Sequence, residues 1–211
     1  MGGITSSTAL WYASRATGVV SLVLLSAVMI LGILANRQGR LPGLPRFAVL
    51  GLHRNLSLLA VAFVAVHVIT AVADSYVSIS LAAAVIPFVS SYEPLWLGLG
   101  AVSLDLMIAV IVTSLVRRHI GRRTWRAVHW LAYASWPVAV VHGIFSSKDL
   151  QSGPLLYLSL ACIAAVIGAL AWRVARARAA TERAGRVPAL MASREVVTLP
   201  HTDRLARAGD R

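Results

Sequence analysis

Five stretches of this chain are apolar over nearly the length a bilayer demands, and this constrains the fold more than any other feature: residues 16–35, 52–73, 95–116, 127–146 and 155–172. Inside hydrocarbon no water satisfies a backbone N–H or C=O, so a crossing segment must be a helix or part of a closed barrel. About 20 apolar residues suit a helix through roughly 30 Å of hydrocarbon. None of the five alternates apolar and polar residues, which sets the barrel aside. The expected fold class is therefore all-α, a polytopic membrane helical bundle of about five transmembrane helices. Composition agrees, with 58% hydrophobic and 13% charged residues against about 25% charge in a soluble domain.

The charges give the bundle a direction. Arg37, Arg40 and Arg46 lie between the first two apolar stretches, and Arg117, Arg118, Arg122 and Arg123 lie between the third and fourth. The second connection carries Asp74 and Glu93, and in the fourth Lys148 and Asp149 cancel. The positive-inside rule then places the N-terminus outside and the C-terminus in the cytoplasm, in a multi-pass cell-membrane protein. The same placement explains the net charge of +12 through topology and membrane lipid, with no nucleic-acid partner. The N-terminus lacks a basic region and a cleavage site, so no removed signal peptide is expected. Met1-Gly2 with Ser6 meets a myristoylation pattern too short to carry weight.

Two domains are expected, a membrane domain over 1–172 and a basic, disordered cytoplasmic tail over 173–211, helical at most near its start. The tail holds His201, which is no ligand candidate. Residues 77–91 include Pro87 and are apolar yet too short to cross, which suits an interfacial or re-entrant segment, either a lid over the outer mouth of the bundle or a surface helix that merely packs. One cysteine, Cys162, excludes an internal disulfide, a cysteine-ligated cluster and covalent haem attachment. Gly98-Leu99-Gly100 lies in a membrane segment, without the strand–turn–helix setting of a dinucleotide site. A flavin or nicotinamide domain within the chain is not expected.

Four of the six histidines fall inside the apolar stretches as two spaced pairs, His53 with His67 and His129 with His142. Ionisable groups there are costly and commonly functional. Fourteen residues of α-helix place His53 and His67 roughly 21 Å apart along the axis and within about 40° of one face. The second and fourth stretches run parallel, so His53 and His129 share one level and His67 and His142 another. Each level offers an imidazole from each helix. Thirteen residues between His129 and His142 correspond to about 220° on a regular helix, so a shared face there needs a kink or local rewinding, for which Pro137 is the expected site. From spacing alone, a redox cofactor, a metal-ion pathway and a packing role are all open.

The stretches LHRNLSLLAVAFVAVHV (52–68) and WRAVHWLAYASWPVAVVHG (125–143) resemble the ferric reductase-like transmembrane domain, shared by ferric-chelate reductases, NADPH oxidases and the haem-binding membrane subunit of the bacterial methionine sulfoxide reductase system. The resemblance covers roughly residues 11–172. It implies two b-type haems, with iron ligated by His53 and His129 and by His67 and His142, and electron transfer across the membrane. The expected role is the haem-containing membrane subunit of an oxidoreductase. A separate flavoprotein or quinol would donate electrons, and ferric iron, oxygen or a partner protein would accept them outside.

Other residues qualify around this pattern. Arg15, Arg54 and Arg126 sit near the ends of apolar stretches and suit haem propionates, which an arginine fork grips bidentately. For Arg54 and Arg126, topology is already a sufficient explanation and the favoured one. Asp105 is the acid within the apolar stretches, a candidate proton relay, partner to a ligand histidine's ring N–H, or packing hydrogen bond. Trp96, Trp125 and Trp172 suit membrane interfaces. Trp130, Tyr133 and Trp136 suit aromatic packing or the flanks of a porphyrin.

Overall fold

The computed structural model describes residues 2–35, 45–75, 77 and 79–198. All regular structure there is helical. The order is α1 (Gly2–Leu34), α2 (Arg46–Ala73), α3 (Leu81–Val85), α4 (Pro94–Leu115), α5 (Arg122–His129), α6 (Ala132–Ser146), a short 3-10 turn (Lys148–Gln151) and α7 (Gly153–Thr198). The chain divides into a compact unit of Met1–Ala169 and a second of Leu170–Arg211.

Local chemistry sets the boundaries. Pro45, extended at φ −68° and ψ 145°, precedes α2. Pro94 opens α4, where its missing N–H is harmless and its fixed φ suits a first turn. Gly153 begins α7 at φ 64°, a conformation that costs glycine little. Four of the helices are long and apolar enough to cross a membrane: Thr8–Leu34, Phe47–Ala73, Pro94–Leu115 and Gly153–Ala184. The protein is a polytopic helical membrane protein.

The fourth apolar stretch departs from an unbroken helix. It is divided at Trp130 and Leu131, which have φ near −60° and ψ −21°. Trp130, Leu131, Tyr133 and Ala134 each donate a backbone N–H to the carbonyl three residues back. This is 3-10 winding, about 120° per residue against about 100° for an α-helix. Four such residues add roughly 80° and turn thirteen residues nearly as far as fourteen in a regular helix. The rewinding expected at Pro137 thus lies six residues earlier, while Pro137 sits inside α6. A proline ring crowds the carbonyl four residues back, here that of Tyr133, and the tightened turn lies immediately before it.

Two further boundaries differ from the sequence reading. α1 begins at Gly2 rather than near residue 16, so Trp11, Ser14 and Arg15 are helical. α7 continues through the arginine-rich sequence to Thr198, which makes residues 173–198 of the tail helical. Within that second unit Arg176 lies over the Trp172 ring at 4.7 Å. Residues 199–211, including His201, lie outside the described residues.

α1 packs against α2 and α6, and α4 packs against α6. α2, which carries His53 and His67, and α6, which carries His142, make little direct backbone contact and stand either side of a gap; His129 ends α5. Leu22, Val140 and Leu150 form a small core with Val19, Trp136, Ile144, Leu155 and Ile163 around it. Leu58, Ile69, Leu115 and Ile167 face outward, as expected where lipid tails are as apolar as the side chains. Polar groups then tie helices together. Ser103 and Ser135 each donate a hydroxyl to the other's carbonyl at 3.1 Å, and the Trp136 indole N–H donates to Ser26 at 3.0 Å. Ser135→Ala removes one of the reciprocal bonds and is expected to lower stability by about 1 kcal/mol, measurable by thermal unfolding in detergent micelles.

The α2–α4 connection folds back over one end of the bundle. Ser80 caps α3 by accepting from the Ala83 N–H at 3.1 Å. Phe88 takes the left-handed conformation, φ 66°, and its ring fills the notch left by Gly98, where a methyl group would overlap it.

Candidate functional site

At the end of the bundle where α1 begins, His67 from α2 and His142 from α6 face each other across the gap. Their ring centroids are 6.5 Å apart, with planes at 70°. The His67 Nδ1–H donates to the Ser14 carbonyl at 2.7 Å, and the His142 Nδ1–H to the Trp96 carbonyl at 2.8 Å. A carbonyl only accepts, so these bonds fix the proton on Nδ1 and leave the Nε2 lone pair free in the neutral ring. Metal-ligating histidines are commonly held this way, the second nitrogen bonded to a carbonyl that orients the ring and raises its basicity.

At the other level the His53 Nδ1–H donates to the Val28 carbonyl at 3.1 Å. His129 ends α5. Its ring stacks on Trp125, with centroids 5.1 Å apart, and its Nδ1 is buried without a hydrogen-bond partner among the described residues.

Three glycines seat three of the rings. Gly18 on α1 meets His67, Gly32 on α1 meets His53 and Gly100 on α4 meets His142; a Cβ there would lie 3.0, 3.4 and 2.7 Å from the respective ring. A Cβ at Gly100 would force the His142 ring to shift, and one at Gly18 would crowd the His67 ring. None of these glycines is identified from the sequence as a seat for a ring, although Gly18 and Gly32 repeat the fourteen-residue interval of the histidines they meet. The carbonyl acceptors carry no sequence signal at all.

A cavity of about 1090 Å³ opens beside His67 and His142. This exceeds the roughly 300–1,000 Å³ of ordinary ligand pockets and can admit a porphyrin-sized group. Val77, Ile79, Ala83 and Ala84 of the α2–α4 connection line it, which puts that segment over the site. Arg15 lines it too. Its guanidinium pairs with Asp149, donates to the Ser147 hydroxyl at 2.9 Å and lies 4.0 Å from the centre of the Trp11 ring. The sequence reading did not select Tyr12, Asp74, Tyr92 or Asp149, which also face the cavity. Asp74 is buried although it falls in a connection, a position that ordinarily implies solvent.

The remaining expected site residues are elsewhere. Arg54 and Arg126 are exposed and form no ion pair among the described residues. Asp105 is half-buried on α4 and is not a partner of any of the four rings, three of which use backbone carbonyls. Trp130 faces outward, leaving Trp125 as the aromatic neighbour of His129.

The spacing of His67 and His142 fits a haem. Two metal–imidazole bonds of about 2 Å and the distance of about 1 Å from each nitrogen to its ring centre come to roughly 6 Å, close to the separation across the gap. Among the described residues no three His, Cys, Asp or Glu side chains converge as ligands of a bare metal ion; His67 and His142 meet as a facing pair. No curated protein and no solved structure matches the chain. A family model, that of the ferric reductase like transmembrane component, matches residues 17–145, which takes in all four histidines and the three glycines. Domains of this kind generally bind haem and suggest transmembrane electron transfer. With the model spanning more than half of its length, the chain belongs to the ferric reductase-like transmembrane family.

Proposed function

We propose that this protein carries electrons across the cell membrane, holding one b-type haem between His53 and His129 and a second between His67 and His142. The observation that carries the reading is the His67–His142 pair: two imidazoles 6.5 Å apart, each oriented by a carbonyl on Nδ1 and each with Nε2 free. When bound, haem supplies a one-electron couple whose potential the axial ligands and surroundings tune. The chain's own residues do the rest. Two imidazoles at each level would hold the group, a ligand set that suits electron transfer more than binding of small molecules. Backbone carbonyls hold three of the rings still, and apolar helices carry both levels.

With the basic loops inside, the His53–His129 level is on the cytoplasmic side and the His67–His142 level faces outward. A separate flavoprotein or membrane quinol would feed the inner level, and ferric iron, oxygen or a partner protein would draw from the outer. Arg15 would meet a haem carboxylate at the outer mouth. Its pairing with Asp149 is largely exposed and worth little as structural glue, so the guanidinium can exchange partners. Arg15→Gln is expected to weaken haem retention at that level roughly 10- to 100-fold, the worth of a hydrogen bond to a charged group, measured by haem loss to a competing haem acceptor. Arg54, Arg126 and Asp105 have no comparable support.

The deciding experiment is an absorbance spectrum of the purified protein with its haem-to-protein ratio. A low-spin b-type spectrum and two haems per chain are expected. A colourless protein that binds and accumulates metal ions would replace the reading with transport. Reduction of reconstituted protein by a flavoprotein or by quinol then identifies the donor.

A further inference from the structure

The seats of His67, His53 and His142 share one construction. A carbonyl accepts the ring Nδ1–H, and a glycine four residues further on clears space for the same ring: Ser14 with Gly18, Val28 with Gly32, Trp96 with Gly100. Four residues are about one helical turn, so carbonyl and glycine lie on one face. On α1 the two seats are fourteen residues apart, matching the antiparallel histidines of α2. On α4 only one seat is filled. Fourteen residues beyond Trp96 and Gly100 stand Val110 and Ser114, and α4 packs against both α5 and α6. Of the four histidines, His129 is the one whose Nδ1 is buried without a hydrogen-bond partner among the described residues. A buried donor left unpaired costs about 1–3 kcal/mol, and His129 lies beside this place. It stacks on Trp125, whose indole N–H reaches the Ser114 hydroxyl at 3.5 Å.

We propose that Val110 and Ser114 form the fourth seat: the Val110 carbonyl is the acceptor for His129 Nδ1–H when haem is bound, and Ser114 is the positioning residue that must stay small to let the ring reach it. This rests on the two-haem reading above. The Val110 carbonyl can take the bond. It already receives a secondary interaction from the Thr113 hydroxyl at 3.2 Å, but that hydroxyl is bonded more closely to Ala109 at 2.7 Å, and a carbonyl has a second lone pair. Thirteen residues with a 3-10 turn bring His129 into the register that fourteen bring His53, which is why the α1 interval transfers to α4. Ser114 is the one seat residue that is not glycine, and the inner level is the one whose small-residue clearance is incomplete.

The test is a size series at one position, Ser114→Gly, Ser114→Thr, Ser114→Val and Ser114→Leu, in the full chain. Occupancy is read from the haem-to-protein ratio and from the low-spin ferric resonance signals, assigned with His53→Ala and His67→Ala as single-level references. Inner-level haem is expected to persist in Ser114→Gly and to fall with side-chain size by roughly 10- to 100-fold in affinity, the usual effect of losing a ligand's outer partner. The outer-level signal serves as the internal control for folding and is expected to stay constant. Equal retention of inner haem across the series, or inner and outer haem lost together, would overturn the fourth seat. Absence of haem from the unsubstituted protein would overturn the two-haem reading instead.

Discussion

His142→Ala is expected to yield protein with one haem per chain instead of two, with transfer to an outer acceptor reduced more than about 100-fold. That bound is the upper end of what loss of an outer partner to a metal ligand costs, and here the ligand itself is lost. The cause is specific to the outer level. His142 faces His67 at 6.5 Å and supplies one of the two free Nε2 atoms there, while His53 and His129 are a separate level roughly 21 Å away along the helix. The remaining haem should still be reducible from the inner side, so the variant separates electron entry from electron exit. The checks are the haem-to-protein ratio and the rate of reduction of an outer acceptor by reconstituted vesicles. Retention of two haems would remove His142 from the ligand set.

The second large effect is expected from a residue with no side chain. Gly100→Val should reduce outer-level haem affinity about 10- to 100-fold although it adds nothing polar and gives α4 a better helix former. Glycine is disfavoured in a helix interior by about 1 kcal/mol, so intrinsic propensity predicts gain. The loss comes from geometry, because a Cβ at position 100 would stand 2.7 Å from the His142 ring and force it off the Trp96 carbonyl. The same cause predicts an order among alanine substitutions. Gly100→Ala should be more damaging than Gly18→Ala, and Gly18→Ala more than Gly32→Ala, following clearances of 2.7, 3.0 and 3.4 Å. Haem affinity measured at each glycine's own level tests this; a different order would show that ring displacement is not the cause.

These two expectations differ in how they could be found. The histidines are legible because an ionisable group inside an apolar run stands out against its neighbours, and a repeated interval on two runs stands out further. Gly100 is not legible as a seat, since GLG in an apolar segment also suits close helix packing, and its meaning depends on which ring it meets. Arg15 was legible as a candidate because it is a cation beside a crossing. Its pairing with Asp149, more than 130 residues away, was not. Asp74 gave no signal, because a carboxylate in a connection ordinarily faces water and here is buried beside the cavity.

The fourth apolar stretch shows the division most clearly. Its sequence contains both histidines and a proline, and the thirteen-residue interval announces that a regular helix cannot present both on one face. Where the correction falls was a separate matter: the helix overwinds at Trp130 and Leu131 and carries Pro137 without a break.

The sequence by itself determined that the protein is a helical membrane bundle, that four histidines lie in two pairs, and the family to which they belong. Hydropathy, charge and spacing are properties of the chain read along its length, so they survive in one dimension. Only the tertiary structure decided that His67 and His142 meet across a gap, that backbone carbonyls hold three of the rings, and that glycines clear their way. Those contacts join helices far apart in sequence through atoms every residue possesses, and so no residue type announces them.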